Sequence, residues 1–285
     1  MSPTTRIPWH SGSHAINGFD QFCREWRPSR EDAPPVLALH GSLTQSGMWI
    51  ALAEMVATVR MMCPDQRGFG RSGDPGTDAC ADFAADALAL ARRSFAARYV
   101  VMGHSFACAI ALETALRDEG RVAAVVLVDP VVRVGPAPAA APPPSPPASF
   151  ASLEEAARHF RATEEGDWSD AALGHLVRDI MIRDEASGRW RFPYTPARLA
   201  RLRAFAASSA SDYDLLAKAK GTRVPVLVFR GGASKRFPVA AEVPFLSTFP
   251  TTAELVQCPA SGHFPTATEP GIVVAALKPF LARVG

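Results

Sequence analysis

The chain has 285 residues, enough for one large domain or for one domain with an inserted subdomain. A 48% hydrophobic and 20% charged composition is that of an ordinary globular protein, not of a disordered or fibrous one. The 30 basic residues are scattered among 28 acidic ones, for a formal charge of +2, so nucleic acid and anionic membrane surfaces are not expected partners. Residues 1–30 are polar, aromatic and charged, without the apolar core of a secretion signal. From there, short apolar runs that read as strands alternate with alanine-rich segments of helical spacing. The strands are expected at Phe19–Trp26, Val36–His40, Val59–Pro64, Tyr99–Gly103 and Val122–Asp129. The helices between them are expected at Met48–Ala57, Asp82–Ala97 and Ser105–Glu119. Such alternation predicts an α/β fold, a mainly parallel sheet with helices on both faces.

The rhythm then breaks. "VRVGPAPAAAPPPSPPASF", residues 132–150, holds too many prolines for a helix or a central strand and is expected to be extended and mobile. Helical segments without strands follow at Ser152–Glu165, Ser169–Asp184 and Pro196–Ala217, and "DEASGRWRFPY" (184–194) reads as a turn with short extended flanks. Strands return at Val224–Arg230 and Ala253–Gln257, and a last helix at Glu269–Arg283. The expected organisation is therefore a core of residues 1–133 and 219–285, with a Pro-rich linker and helical cap at 134–218. No apolar run approaches the ~18 residues of a membrane span. The five cysteines (Cys23, Cys63, Cys80, Cys108, Cys258) are odd in number, far apart and lack a C-x-x-C pair. They fit structural thiols in a reducing, cytoplasmic compartment better than a disulfide framework or a zinc site.

The strongest chemical signal is "YVVMGHSFACAIALETAL" (99–116), where a buried strand ends in Gly103-His104-Ser105-Phe106-Ala107 and an apolar helix starts at once. Small residues two before and two after the serine let strand and helix approach through a strained turn that holds the Ser105 hydroxyl at the C-terminal edge of the sheet. The helix N-terminus also places backbone N–H groups near any oxyanion formed there. Ser105 is the candidate nucleophile.

With this turn the chain resembles the α/β-hydrolase fold family, and further stretches carry the likeness from residue 36 to residue 270. "VLALHGSLTQSGMW" (36–49) is similar to the family's His-Gly segment after the third strand. The resemblance implies an oxyanion hole made by the backbone N–H groups of Ser42 and Phe106, and an eight-stranded, mainly parallel sheet with the cap inserted after the sixth strand. "CPDQRGFGRS" (63–72) is similar to the loop after the fourth strand, usually structural, so Asp65 and Arg67 are assigned no catalytic role. "CPASGHFPTATEP" (258–270) resembles the loop that carries the catalytic histidine, which makes His263 the general base.

The acid is less plain. A serine needs a base, and that histidine needs a partner on its other nitrogen. Relatives mostly keep an acid three or four residues after the glycine that ends the seventh strand, and here those positions are Ser234 and Lys235. Between Gly231 and His263 the acids are Glu242, expected on a helix, and Glu254, expected in the last strand. The candidate is instead Asp129 in "VVLVDPVV" (125–132), at the end of the strand after the nucleophile helix. In the doubly wound order that strand lies beside the seventh, only ~4.8 Å away. The alternatives are a Ser–His dyad or a protein that binds without catalysing. On the Asp129 assignment, Ser234 is expected to matter little.

The reading is a serine hydrolase that cleaves a small-molecule carboxylic ester or lactone, without a cofactor or metal. Cleavage of a C–C bond or a thioester at the same site, a ligand-binding member, and a cofactor-free oxygenase or perhydrolase stand as alternatives. His40, Gly41, His104, Trp168, Phe192 and Tyr194 are the candidate pocket residues. Nine arginines and eleven acids over residues 150–216 mark no charged substrate. Oligomeric state is not readable from the chain.

Overall fold

The computed structural model describes residues 9–132, 146–208 and 212–285. Most of the expected Pro-rich linker lies outside the described residues. Ten strands are present among them. β1 (Trp9–Ile16) and β2 (Phe19–Trp26) form a hairpin closed at Asn17 and Gly18, both at positive φ, the two-residue turn that Asn-Gly favours. β3 (Val36–Leu39), β4 (Met61–Pro64), β5 (Tyr99–His104) and β6 (Val122–Val128) follow, each fully buried and so rich in Val, Leu, Ala and Met. β7 (Ile182–Arg183) and β8 (Trp190–Arg191) pair as a small separate hairpin. β9 (Val226–Gly231) and β10 (Ala253–Cys258) complete the main sheet.

The main sheet has eight strands in the order β1-β2-β4-β3-β5-β6-β9-β10, antiparallel at β1, β2 and β4 and parallel from β4 onward. Its helices are α1 (Ile50–Val56), preceded by a 3-10 turn at Ser46–Trp49, α2 (Cys80–Ser94) and α3 (Ala107–Arg117). Between β6 and β9 lies a helical insertion of α4 (Leu153–Thr163), α5 (Asp170–Ile180), α6 (Pro196–Ser208) and α7 (Leu215–Gly221), with the β7–β8 hairpin. α8 (Glu242–Leu246), α9 (Pro265–Thr268) and α10 (Pro270–Arg283) close the chain. Ser152, Ser169 and Asp214 cap α4, α5 and α7 by accepting from backbone N–H groups of the first turn. The segment expected as one helix over 196–217 is two, because Asp214 starts α7 afresh. Glu242 sits at the start of α8 and Glu254 within β10, as their patterns predict.

The order sets the site. β5, β6 and β9 are neighbours, so Ser105, Asp129 and Gly231, each at or just past a strand end, meet at one edge of the sheet. All five cysteines are buried and unpaired, and burial pushes the Cys80 and Cys258 thiols up to about 12. Among the described residues no helix is long and apolar enough to cross a membrane.

Candidate active site

Ser105 stands in the left-handed region, at φ +59, between β5 and α3. The turn is tight because Gly103 has no side chain: a Cβ there would lie 2.3 Å from the carbonyl oxygen of Ala107. Ala107 itself is fully buried. Asp129, one residue past β6, is the second site residue at positive φ (+44) and is wholly buried. Its backbone N–H donates to the carbonyl of Phe229, which continues the β6–β9 ladder by one rung and fixes where the side chain emerges.

His263 lies between them. Its Nε2 is 2.8 Å from Ser105 Oγ, and its Nδ1 is 2.6 Å from Asp129 Oδ2. With a carboxylate at Nδ1, the imidazole carries its proton there and presents Nε2 as an acceptor to the serine hydroxyl. Burial pushes the His263 imidazole well below its usual range, and the Arg236 guanidinium pushes the same way, so the ring is neutral at neutral pH. Asp129 is raised by burial to about 6, against the opposing pull of its Ser234 and Gly231 donors. The two acids set aside as partners of His263 are engaged elsewhere: Glu242 binds Arg230 and Gln257, and Glu254 binds Arg283.

Ser234, which the sequence reading expected to matter little, lies against the acid. The Ser234 hydroxyl donates to Asp129 Oδ2 at 2.6 Å, while the Gly231 N–H donates to Oδ1 at 3.0 Å. The loop position left without a carboxylate thus faces the carboxylate of the neighbouring strand.

The histidine loop is held on both sides. His104 Nε2 lies 2.7 Å from the His263 carbonyl, so that nitrogen carries the proton. Burial, reinforced by His263, pushes the His104 imidazole down to about 3, which keeps it neutral. Glu269 accepts from the Ala260 N–H and from the Ser261 hydroxyl. Ser42 and Phe106 both border the cavity in front of Ser105, and no acceptor among the described residues takes either backbone N–H.

The cavity is about 460 Å³. Ser105, Gly41, His104 and His263 form its floor, and Leu199, Leu202, Tyr213, Leu215 and Leu216 of the insertion face them. Gly41 and His104 are therefore where the sequence places them, but four other expected residues need reassignment. His40 is buried behind the wall: its Nδ1 pairs with the Gly41 carbonyl, and Nε2 accepts from the Gln66 N–H. Trp168, Phe192 and Tyr194 do not border this cavity. Phe192 stacks on Tyr194 at 5.3 Å, and Trp168 packs against Phe264 at 5.8 Å, so these rings fill the inside of the insertion and its seam with the core. The leucines of α6 and α7 carry no signal that separates a cavity wall from a packed helix face, and sequence reasoning missed them. Asp65 and Arg67 have structural partners, Asp65 receiving the N–H groups of Ser46 and Arg71 and Arg67 clasping both oxygens of Asp86.

The family model described as alpha/beta hydrolase fold matches residues 34–270. The chain belongs to the α/β-hydrolase fold family. A solved α/β hydrolase from Novosphingobium aromaticivorans is 25% identical, with a TM-score of 0.76 over 97% of this chain and 99% of that one. Among curated proteins, a lipase of Mycobacterium tuberculosis, LipV, is 37% identical over 34% of this chain, and human monoglyceride lipase is 28% identical over 46% of it. These alignments span 37% and 46% of the two relatives' own lengths, so their lipase activities are properties of those proteins. In this chain Ser105, between β5 and α3, is linked by hydrogen bonds through His263 to Asp129, one residue past β6.

Proposed function

We propose that this protein is a serine hydrolase that cleaves a small carboxylic ester or lactone through an acyl-enzyme. The observation that carries the reading is the unbroken chain Ser105 Oγ–His263 Nε2 (2.8 Å) and His263 Nδ1–Asp129 Oδ2 (2.6 Å). Ser105 Oγ attacks the acyl carbonyl while its proton passes to His263 Nε2. The carbonyl oxygen becomes an oxyanion and is received by the N–H groups of Ser42 and Phe106. The imidazolium gains the Asp129 carboxylate as its counter-charge. Collapse of the tetrahedral intermediate breaks the ester C–O bond, and the leaving alkoxide takes the proton from His263. Water, deprotonated by the same Nε2, then releases the acid from Ser105.

The division into a core of 1–133 and 219–285 with a cap at 134–218 is part of this reading: among the described residues, α6 and α7 of the insertion act as a cap over this edge of the sheet and shape the substrate site. Their leucines support an acyl or alkoxy group of moderate hydrophobicity. Arg236, which also borders the cavity, is already engaged by Glu165 at 3.2 Å and Glu164 at 3.4 Å, so a neutral substrate suits the site better than an anionic one. The buried, unpaired thiols support a reducing compartment.

The test is covalent labelling of Ser105 by a fluorophosphonate, followed by turnover of p-nitrophenyl esters, in wild type and in Asp129→Asn. Wild type is expected to label fast, and the variant to lose about 10⁴-fold in turnover, as loss of the acid does in a well-studied triad. Labelling that is unaffected by the substitution would reassign the acid. Absence of wild-type labelling would favour a binding protein.

A further inference from the structure

We propose that Ser234 is a positioning residue for the acid: its hydroxyl proton is committed to Asp129, and it holds the displaced carboxylate ionised and aligned on His263. This rests on the reading of the site given above. A serine hydroxyl has one proton and two lone pairs. Ser234 Oγ accepts from the backbone N–H of Arg236 at 3.2 Å and from that of Phe237 at 3.4 Å. With those donors facing the lone pairs, the proton is left for Asp129 Oδ2, 2.6 Å away. The direction of the bond is thus imposed by the backbone around Ser234.

The loop has its own clamp. Arg230, buried at the end of β9, donates to the carbonyls of Phe237 (2.7 Å) and Gly232 (3.4 Å) and to Gln257 Oε1 (3.1 Å), and pairs with Glu242. Ser234 therefore cannot follow the carboxylate if the carboxylate turns. Asp129 Oδ2 is shared between Ser234 and His263, and Oδ1 is fixed by Gly231, so three donors define the plane of the carboxylate. The titratable and charged groups that act on it are His263, His104 and Arg236, with Glu164 and the buried thiols of Cys108 and Cys258 beyond them. Ser234 is a neutral donor among these, so its removal changes no charge. It takes away one hydrogen bond to an ion that water cannot reach.

The experiment is the pH profile of kcat and kcat/KM for an uncharged p-nitrophenyl ester in Ser234→Ala, Ser234→Cys and Ser234→Thr, with Asp129→Asn alongside. A hydrogen bond to a buried charge contributes enough that its loss is expected to lower kcat about ten- to a hundredfold, with KM unchanged. The acid limb of the alanine variant is expected to move to higher pH, because the carboxylate has lost a stabilising donor. Threonine, which keeps the hydroxyl, is expected to restore both. The thiol of Ser234→Cys is a weaker donor of similar shape and is expected to give an intermediate limb, so it decides the matter if the alanine variant fails to fold. An unshifted acid limb in the folded alanine variant, or in the cysteine variant, overturns the positioning role. If Asp129→Asn keeps full turnover, the triad reading itself has failed. If it loses turnover while Ser234→Ala behaves as wild type, only the positioning role has.

Discussion

Ser105 and Asp129 account for two of the four non-glycine residues at positive φ among those described, a conformation that costs of order 1–3 kcal/mol where the surroundings impose it. At both positions a strand ends and the side chain must point along the sheet edge, and the strain is what brings two strand ends to one histidine. The pH dependence follows from how that trio is buried. His263 is held neutral by burial, and Asp129, raised by burial to about 6, is the group that accepts a proton first as the solution is acidified. The proton belongs to the coupled pair, and taking it up removes either the free Nε2 or the counter-charge. We expect kcat/KM for an uncharged ester to stay level from neutral pH down to about 6 and to fall below it. A limb at or above 7 would mean that the imidazolium is stabilised in the resting enzyme, contrary to its burial. His104, held neutral down to about 3, adds no further limb in this range.

At the scale of elements, the turn after α4 reaches across to the histidine loop. Gly166 is at φ +105 and bridges Ser261, and the neighbouring Asp167 N–H donates to the Ala260 carbonyl at 2.8 Å. A Cβ at Gly166 would stand 2.3 Å from the Gly262 backbone nitrogen. Gly166→Ala therefore demands an unfavourable φ and a shift of the backbone next to His263. We expect it to cost about 1–3 kcal/mol of stability and to lower kcat more than it raises KM. Thermal melting with ester kinetics checks this, and wild-type kcat with an unchanged melting temperature would contradict it. This contact had no counterpart in the sequence, where Gly166 is one glycine in an acidic turn. The strands of the core were legible because parallel strands buried on both faces read as unbroken apolar runs. β1 was not, since most of its residues are exposed and polar, and only the Asn17-Gly18 pair marks the hairpin.

For the whole molecule, the site was legible wherever one chain segment suffices. Ser105 is marked by its own turn and His263 by its own loop, and Asp129 was the acid left at the right edge once Ser234 was seen to lack a carboxylate. What two or three separate segments build together was not legible: the Ser234 donor, the leucine wall, and the seam between insertion and core. That seam has a definite anchor. Arg198 of α6 and Asp78 of the core are both nearly inaccessible, and Arg198 Nη1 lies 2.5 Å from Asp78 Oδ1, an attraction of charges whose hydrogen-bond alignment is poor. Arg198 also donates to the Arg67 carbonyl and lies over the Phe69 ring, and Arg201 reaches Asp78 Oδ2 at 2.7 Å. Asp78→Asn would leave the buried Arg198 cation with only the partly exposed Asp74, 3.9 Å away, as counter-charge, and breaking a buried pair in this way is expected to cost about 3 kcal/mol, or roughly ten degrees of melting temperature. Because Leu199 and Leu202 of the same helix border the cavity, loosening α6 is expected to raise KM more than it lowers kcat. Asp74, partly exposed, pairs with Arg201 at 2.6 Å and lies 3.9 Å from Arg198, and as the weaker and more solvated partner it provides the contrast: Asp74→Asn is expected to cost under about 1 kcal/mol. Equal, small effects of the two substitutions on melting and on KM would show that the insertion is held by its apolar contacts and that the buried ion pair contributes little to closing the site.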